Sequence, residues 1–175
     1  MSEVAHSMCD SYHINDGDVL IGASLGGMVA CEISKIRNIS RLYLIGSASR
    51  KEEISTLLTL LHPLAQIAPL DWLRILAGKI PTELTQMFTS AEPAFVRAMC
   101  VAIFNWEGLG PSTTKVRRLH GRHDFVIPPP KTVDLLIDGG HLISMSHAAE
   151  FAAFIMGDSG GGESVMLSVD AKMSL

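Results

Sequence analysis

The sequence predicts an α/β fold, with a parallel sheet of about four strands and a long helical insertion. Short apolar runs alternate with helical patterns on both sides of residues 50–107. Strands that alternate with helices pair in parallel, because each helix carries the chain back along the sheet. Within 50–107 the apolar spacing is helical, with breaks at four prolines, so this segment is not part of the sheet.

Composition sets broad limits on the function. The chain has 175 residues, 47% of them hydrophobic and 18% charged, with a net charge of −4, which suits one globular domain with a proper core. It has no cluster of Lys and Arg for nucleic acid and no apolar run long enough to span a membrane. The three cysteines are far apart and no signal-peptide core precedes residue 19, so we expect a cytoplasmic protein without disulfides.

The first half of the chain predicts a strand–helix–strand unit. Residues 1–13 favour a short helix, and the Asn-Asp-Gly-Asp sequence at 15–18 favours a turn. An apolar strand is predicted at 19–22, a helix with core spacing at 25–36, and a second strand at 41–45. This unit has the length that two parallel strands and their crossover helix require.

The second half of the sequence predicts two further strands of the same sheet. Strands are expected at 115–119 and 132–137, with a loop after each of them. The last helix is expected at 146–156, with Ser146 as its N-cap, followed by a mobile tail at 157–175. Inside the insertion we expect four short helices, near 51–61, 69–78, 81–89 and 92–104.

A Gly-x-Ser-x-Gly sequence joins the first strand to its helix, with Ser24 at the turn. Such a turn lifts the serine hydroxyl above the end of the sheet, and Gly22 and Gly26 are expected to allow the close approach of strand and helix. The Leu25 N–H, at the start of the helix, is the expected donor to an oxyanion. The alternatives are a purely structural turn and a phosphate-binding turn.

Candidate partners for Ser24 follow the later strands. Asp124 comes after the third strand and His141 after the fourth, so both should share one edge of the sheet with Ser24. A serine hydroxyl needs a histidine base, which in turn needs a carboxylate, so these residue types suit nucleophilic catalysis. Asp134 and Asp138 are alternative carboxylates, expected within a strand and in a turn.

Other polar residues in these loops favour structural roles. His120 is expected to make structural hydrogen bonds, and His120 with His123 and Asp124 forms only a weak pattern for a metal site. The adjacent Arg117 and Arg118 are expected at the edge of a strand or loop. We therefore predict no metal and no cofactor.

Three sequence regions together resemble the α/β-hydrolase superfamily. They are Gly-Ala-Ser-Leu-Gly-Gly-Met-Val-Ala at 22–30, His-Gly-Arg-His-Asp-Phe-Val-Ile-Pro at 120–128 and Gly-Gly-His at 139–141. The chain is most similar to small lidded members such as carboxylesterases and related ester, thioester and C–C bond hydrolases.

The resemblance implies a role for each of the three residues. Ser24 would be the nucleophile, Asp124 the acid and His141 the base in hydrolysis of a small apolar ester or thioester. Residues 1–49 and 108–156 would form the hydrolase core, 50–107 a helical lid and 157–175 a flexible tail.

One departure from the superfamily bears on activity. Its members usually carry several strands before the serine turn, whereas 18 residues precede the first strand here. We expect the first half of the sheet and the second oxyanion donor to be absent, which could reflect a truncated gene product. Losing one such donor costs about 10²–10³ in rate.

We also expect the open strand edge to be covered in a homodimer. The alternative function is a weak or inactive remnant that binds a ligand or partner.

Overall fold

The computed structural model describes residues 1–54 and 93–158. The chain divides into two compact units, Met1–Ser55 with Glu107–Leu175, and Thr56–Trp106. The helices predicted at 69–78 and 81–89, residues 55–61 of the first predicted helix, and the tail from residue 159 onward lie outside the described residues. In the second unit the structure describes a helix at Pro93–Phe104, close to the fourth predicted helix, whereas residues 51–53 form a short 3-10 helix.

The first unit is a parallel sheet with helices. Its strands are β1 (Val19–Ala23), β2 (Arg41–Ile45), β3 (Lys115–Gly121) and β4 (Leu135–Ile137). Its helices are α1 (Ser2–Ser11), α2 (Leu25–Ile36), α4 (Ile143–Ser146) and α5 (Ala148–Asp158). The helix Pro93–Phe104, which belongs to the second unit, is α3. The four strands lie in the order β1-β2-β3-β4, and every pair is parallel. The predicted fold class is therefore confirmed, and β1 lies at an edge of the described sheet.

Two apolar clusters hold the unit together. One lies between the sheet and α4 and α5, and contains Val19, Tyr43, Ile45, Leu119, Ile143, Phe151 and Ile155. The other lies between α1 and α2, packs against Leu20 of β1, and contains Ala5, Cys9, Ile14, Val29, Ile33 and Ile39. The strand β2 is buried along almost its whole length because strands pair with both of its edges and helices cover the faces of a parallel sheet.

The later strands differ from the prediction. The strand β3 is two residues longer than expected, because His120 and Gly121 pair with β4 instead of forming a loop. The strand β4 is shorter, because Asp134 binds β3 with its side chain. The Asp134 carboxylate accepts the Arg118 amide at 2.7 Å, and the Asp134 amide donates to the Arg118 carbonyl at 2.8 Å. Asp134 therefore lies before the strand, not within it.

The last predicted helix is two helices, because the chain bends at His147. Ser146 is not an N-cap: it ends α4, and its hydroxyl donates to the Leu142 carbonyl at 3.2 Å. Gly157 and Asp158 are the end of α5 instead of the start of a tail. Asp158 is fixed there by the Tyr43 hydroxyl at 2.9 Å and by Arg117. Hydrogen bonding to Arg117 lowers the pKa of Asp158 to about 2.

No helix among the described residues is both long and apolar enough to cross a membrane. Cys9 and Cys31 are buried free thiols. Burial raises the pKa of Cys31 to about 12, so this thiol is kept in its unreactive protonated form.

Candidate active site

Ser24 occupies a strained turn between β1 and α2. Its φ is +49° and its ψ is −123°, a combination that a residue with a side chain rarely adopts. Strain of this kind costs on the order of 1–3 kcal/mol and persists only where the surroundings fix it. Here the Ser24 amide donates to the Ile45 carbonyl of the neighbouring strand at 2.9 Å. The turn thus lifts the Ser24 side chain at the carboxyl end of the sheet.

Glycines allow the strand and the helix to meet at this turn, but one of them is not the predicted one. A Cβ on Gly22 would lie 2.5 Å from the Cα of Gly27, and a Cβ on Gly27 would overlap the side chain of Ser47. A Cβ on Gly26 would meet nothing within 4 Å. The prediction for Gly22 is confirmed, and that for Gly26 is wrong because Gly27 is the residue that faces the strand.

The structure brings Ser24, His141 and Asp124 into one hydrogen-bonded line. The Ser24 Oγ lies 2.8 Å from His141 Nε2, and His141 Nδ1 lies 2.8 Å from Asp124 Oδ2. In the tautomer that fits both contacts, His141 donates to the carboxylate and accepts from the serine hydroxyl. His141 is 8% exposed and Asp124 is 3% exposed, whereas Ser24 is only half-buried and can be reached from outside.

Two backbone amides fix the carboxylate of Asp124. Its Oδ1 accepts the Val126 and Ile127 amides, both at 2.9 Å, which leaves Oδ2 directed at His141. His120 closes the same loop, because its Nε2 donates to the Ile127 carbonyl at 2.9 Å. Burial lowers the pKa of His120, so this ring is neutral near pH 7, and the structural role expected for it fits these contacts.

Close backbone contacts bring the loop after β3 against the loop after β4. A Cβ on Gly121 would overlap the carbonyl of Gly140, so only glycine fits between the two loops. Gly46, which ends β2, has a φ of +50°, and a Cβ there would lie 3.1 Å from the His141 carbonyl. These glycines let Asp124 and His141 approach the end of the sheet.

The alternative carboxylates have other partners. Asp134 pairs with Arg117 at 2.7 Å, and Asp138 accepts from the exposed His123 ring at 2.9 Å. Within the described residues, no group of three or more His, Cys, Asp or Glu side chains could hold a metal ion.

Leu25 is the first residue of α2. No helical turn precedes it, so its N–H has no carbonyl acceptor within the helix and points outward from the helix N-terminus. A hydroxyl, an imidazole and a carboxylate in this order are the groups that activate a serine for attack on a carbonyl carbon. A nearby helix N-terminus adds positive potential that favours a developing negative charge.

Two residues behind the turn carry almost no signal in the sequence. Ser47 is fully buried, and its hydroxyl donates to the Ser24 carbonyl at 2.6 Å. Arg118, which we had expected at a strand or loop edge, donates to the Ser47 carbonyl at 2.8 Å and pairs with Glu53 at 2.6 Å. The one sequence signal for Ser47 is its small size directly after the glycine that ends β2.

No protein-family model matches the sequence, and no curated protein is significantly similar to it. Solved structures do match the fold. A thermophilic esterase from Thermogutta terrifontis is 18% identical, with a TM-score of 0.58 over 87% of this chain and 68% of its own. A hydrolase from Oleispira antarctica is 17% identical, with a TM-score of 0.66 over 85% and 67%. A bromoperoxidase from Bacillus anthracis is 16% identical, with a TM-score of 0.63 over 89% and 71%.

These similarities establish the fold class. The chain has the α/β-hydrolase fold, and it spans about two thirds of the length of the structures that it matches. The resemblance found in the three sequence regions is thereby confirmed at the level of the fold.

Proposed function

We propose that the chain is a serine hydrolase that cleaves small apolar esters or thioesters. The observation that carries this proposal is the unbroken line from the Ser24 hydroxyl through His141 to Asp124, with both contacts at 2.8 Å. The structural neighbours include esterases and a hydrolase, which supports the same reaction class.

The first half of the proposed reaction is acyl transfer to Ser24. The Ser24 Oγ attacks the acyl carbonyl carbon while His141 Nε2 takes the hydroxyl proton, and Asp124 stabilises the imidazolium that results. The carbonyl oxygen becomes an oxyanion, which the Leu25 N–H stabilises. When the tetrahedral intermediate collapses, the bond to the leaving group breaks, and His141 gives its proton to the departing alcohol or thiol.

The second half releases the acyl group. A water molecule attacks the acyl-Ser24 carbonyl, and His141 accepts a proton from that water. Collapse of the second intermediate frees the carboxylic acid and returns the proton to Ser24. The net reaction consumes one water and one ester, and it yields one acid and one alcohol or thiol without a cofactor.

An apolar substrate suits two exposed side chains that lie close in sequence to Asp124 and His141. Phe125 follows Asp124 directly and is 82% exposed, and Met145 in α4, the helix after His141, is 67% exposed. Large apolar side chains that are exposed to solvent are typical of surfaces that bind apolar ligands.

Hydrolysis of p-nitrophenyl acetate and butyrate tests the proposal. We expect release of p-nitrophenol by the wild type, and the background rate for Ser24→Ala. Ser146→Ala is the matched control, because the Ser146 hydroxyl also lies 2.8 Å from a histidine ring, that of His147. The control should keep wild-type activity. No hydrolysis by folded wild type would instead favour a ligand- or partner-binding module.

We also propose that the native molecule is a homodimer joined at the edge of β1. Among the described residues β1 pairs only with β2, so its other edge offers unpaired backbone groups for another strand. Sedimentation equilibrium at micromolar concentration should give twice the chain mass, and a stable monomer would contradict this proposal.

A further inference from the structure

Ser47 lies directly behind the serine turn and has one hydrogen bond across to it. The residue is fully buried, and its hydroxyl donates to the Ser24 carbonyl at 2.6 Å. The same carbonyl accepts the Gly27 amide at 3.1 Å. The space for Ser47 exists because Gly27 has no side chain.

The Ser24 carbonyl and the Leu25 N–H belong to one peptide group. This peptide is planar and trans, so its C=O and its N–H point in opposite directions. Whatever fixes the direction of the Ser24 carbonyl therefore also fixes the direction of the Leu25 N–H. Ser47 holds the carbonyl from the buried side, which leaves the N–H directed away from Ser47.

We propose that Ser47 is a positioning residue, which aims the Leu25 N–H at the oxyanion by fixing the Ser24 carbonyl. The inference rests on the proposed function, in which Leu25 supplies that N–H. The turn needs such support because the Ser24 backbone is strained at a φ of +49° and would relax by rotating this peptide. Stabilisation of an oxyanion depends on donors that are already oriented before the reaction begins.

The ion pair of Arg118 with Glu53 fixes the backbone of Ser47. Arg118 donates to the Ser47 carbonyl at 2.8 Å, and its other terminal nitrogen contacts Glu53 at 2.6 Å and the Ser49 hydroxyl at 3.1 Å. Burial opposes the charge on Glu53, but the hydrogen bonds from Arg118 and the Ser49 amide outweigh it and lower the pKa of this carboxyl. Glu53 is therefore ionised at neutral pH and keeps Arg118 against Ser47.

Ser47→Ala tests the inference, with Ser34→Ala as the matched control. Ser34 is also partly buried, and its hydroxyl donates to a carbonyl of α2, that of Ala30, at 2.9 Å. For ester hydrolysis we expect Ser47→Ala to lower kcat about tenfold to a hundredfold, because a misaimed donor loses part of the 10²–10³ that a whole donor supplies. KM should stay within about twofold, because the N–H acts on the transition state and not on the bound ester.

Two further readouts separate positioning from simple loss of stability. Both variants are assayed well below Tm, where they are folded, and Ser34→Ala, which leaves the Ser24 carbonyl untouched, should keep the wild-type kcat. In Ser47→Ala the Gly27 amide should exchange its hydrogen faster than in the wild type, because its acceptor is no longer fixed. Wild-type kcat in Ser47→Ala, or an equal loss of kcat in Ser34→Ala, would overturn the inference.

The failure of the proposed function has a different signature. If the wild type hydrolyses no ester, the proposed function fails, and exchange at Gly27 still tests whether Ser47 fixes the turn. Faster exchange in Ser47→Ala then supports the positioning of the peptide, and unchanged exchange overturns it.

Discussion

Asp124→Asn should disable the proposed catalysis by reversing the tautomer of His141. The Asp124 Oδ1 accepts two backbone amides, from Val126 and Ile127, each at 2.9 Å. An asparagine keeps both hydrogen bonds only if its carbonyl oxygen takes that position. Its NH₂ then faces His141 Nδ1, where the native Oδ2 lies at 2.8 Å.

A donor opposite Nδ1 places the imidazole proton on Nε2. That proton would point at the Ser24 Oγ, 2.8 Å away, so the ring could no longer accept the serine proton. The opposite orientation of the asparagine would set its NH₂ against the two loop amides and lose both hydrogen bonds. We therefore expect a fall in kcat of about 10⁴-fold, or about 5.4 kcal/mol, with KM nearly unchanged.

Steady-state hydrolysis of p-nitrophenyl butyrate measures this effect, with circular dichroism to confirm that the variant is folded. Asp138→Asn is the matched control, because it removes a nearby carboxylate that binds the exposed ring of His123 at 2.9 Å. The control should keep kcat within about twofold, since the Asp138 carboxylate binds His123 and makes no hydrogen bond to His141. An Asp124→Asn variant within tenfold of wild type, or an equal loss in Asp138→Asn, would refute the reasoning.

Three further predictions concern stability. In urea unfolding, Gly27→Ala should lower the free energy of unfolding by about 1–3 kcal/mol, because the new Cβ would overlap the buried side chain of Ser47. Gly26→Ala should be neutral or stabilising by up to about 1 kcal/mol, because its Cβ would meet no neighbouring atom. Because burial lowers the pKa of His120 from its ordinary 6.5, the unfolded chain binds a proton below pH 6.5 that the folded chain does not. Wild-type stability should then fall as the pH falls, by up to about 1.4 kcal/mol per pH unit from this residue, and His120→Gln should lack that slope. Because Arg117 lowers the pKa of Asp158 from 3.8 to about 2, the stability that Asp158 adds should be lost as the pH falls through this range, and the Tm difference between wild type and Asp158→Asn should close there.

The placement of the main site residues follows from the sequence because it depends on topology alone. Parallel strands bring their carboxyl ends to one edge, so residues that follow β1, β3 and β4 had to share that edge. Ser24, Asp124 and His141 each lie a few residues beyond such a strand, in loops too short to carry them elsewhere. The strand and helix patterns around them were also strong enough to fix α2 and β2 at their observed bounds.

The sequence could not show in the same way where a side chain takes the place of a strand's backbone in hydrogen bonding to the sheet. Asp134 sits in an apolar run that favours a strand, yet its carboxylate takes the Arg118 amide and delays the start of β4. Similarly, successive residues of a helix point about 100° apart, so the pattern could not tell whether Gly26 or Gly27 faces β1.

The support behind the turn depends on long-range contacts with no local signal. Arg118 reaches the Ser47 carbonyl across 71 positions of sequence. The sequence shows only that Arg118 follows another arginine, which is equally compatible with a solvated edge. The structure was needed to show that this guanidinium is turned inward against the segment that holds Ser24.

Covalent labelling by a fluorophosphonate tests the central claim most directly, because it reports the nucleophile without any assumption about the substrate. Trypsin should release residues 1–35 as one peptide, since the first Lys or Arg is Lys35. Fragmentation of that peptide by mass spectrometry should place the adduct on Ser24, and Asp124→Asn should slow its formation. Absence of an adduct on folded protein, or an adduct on a different serine, would contradict the account.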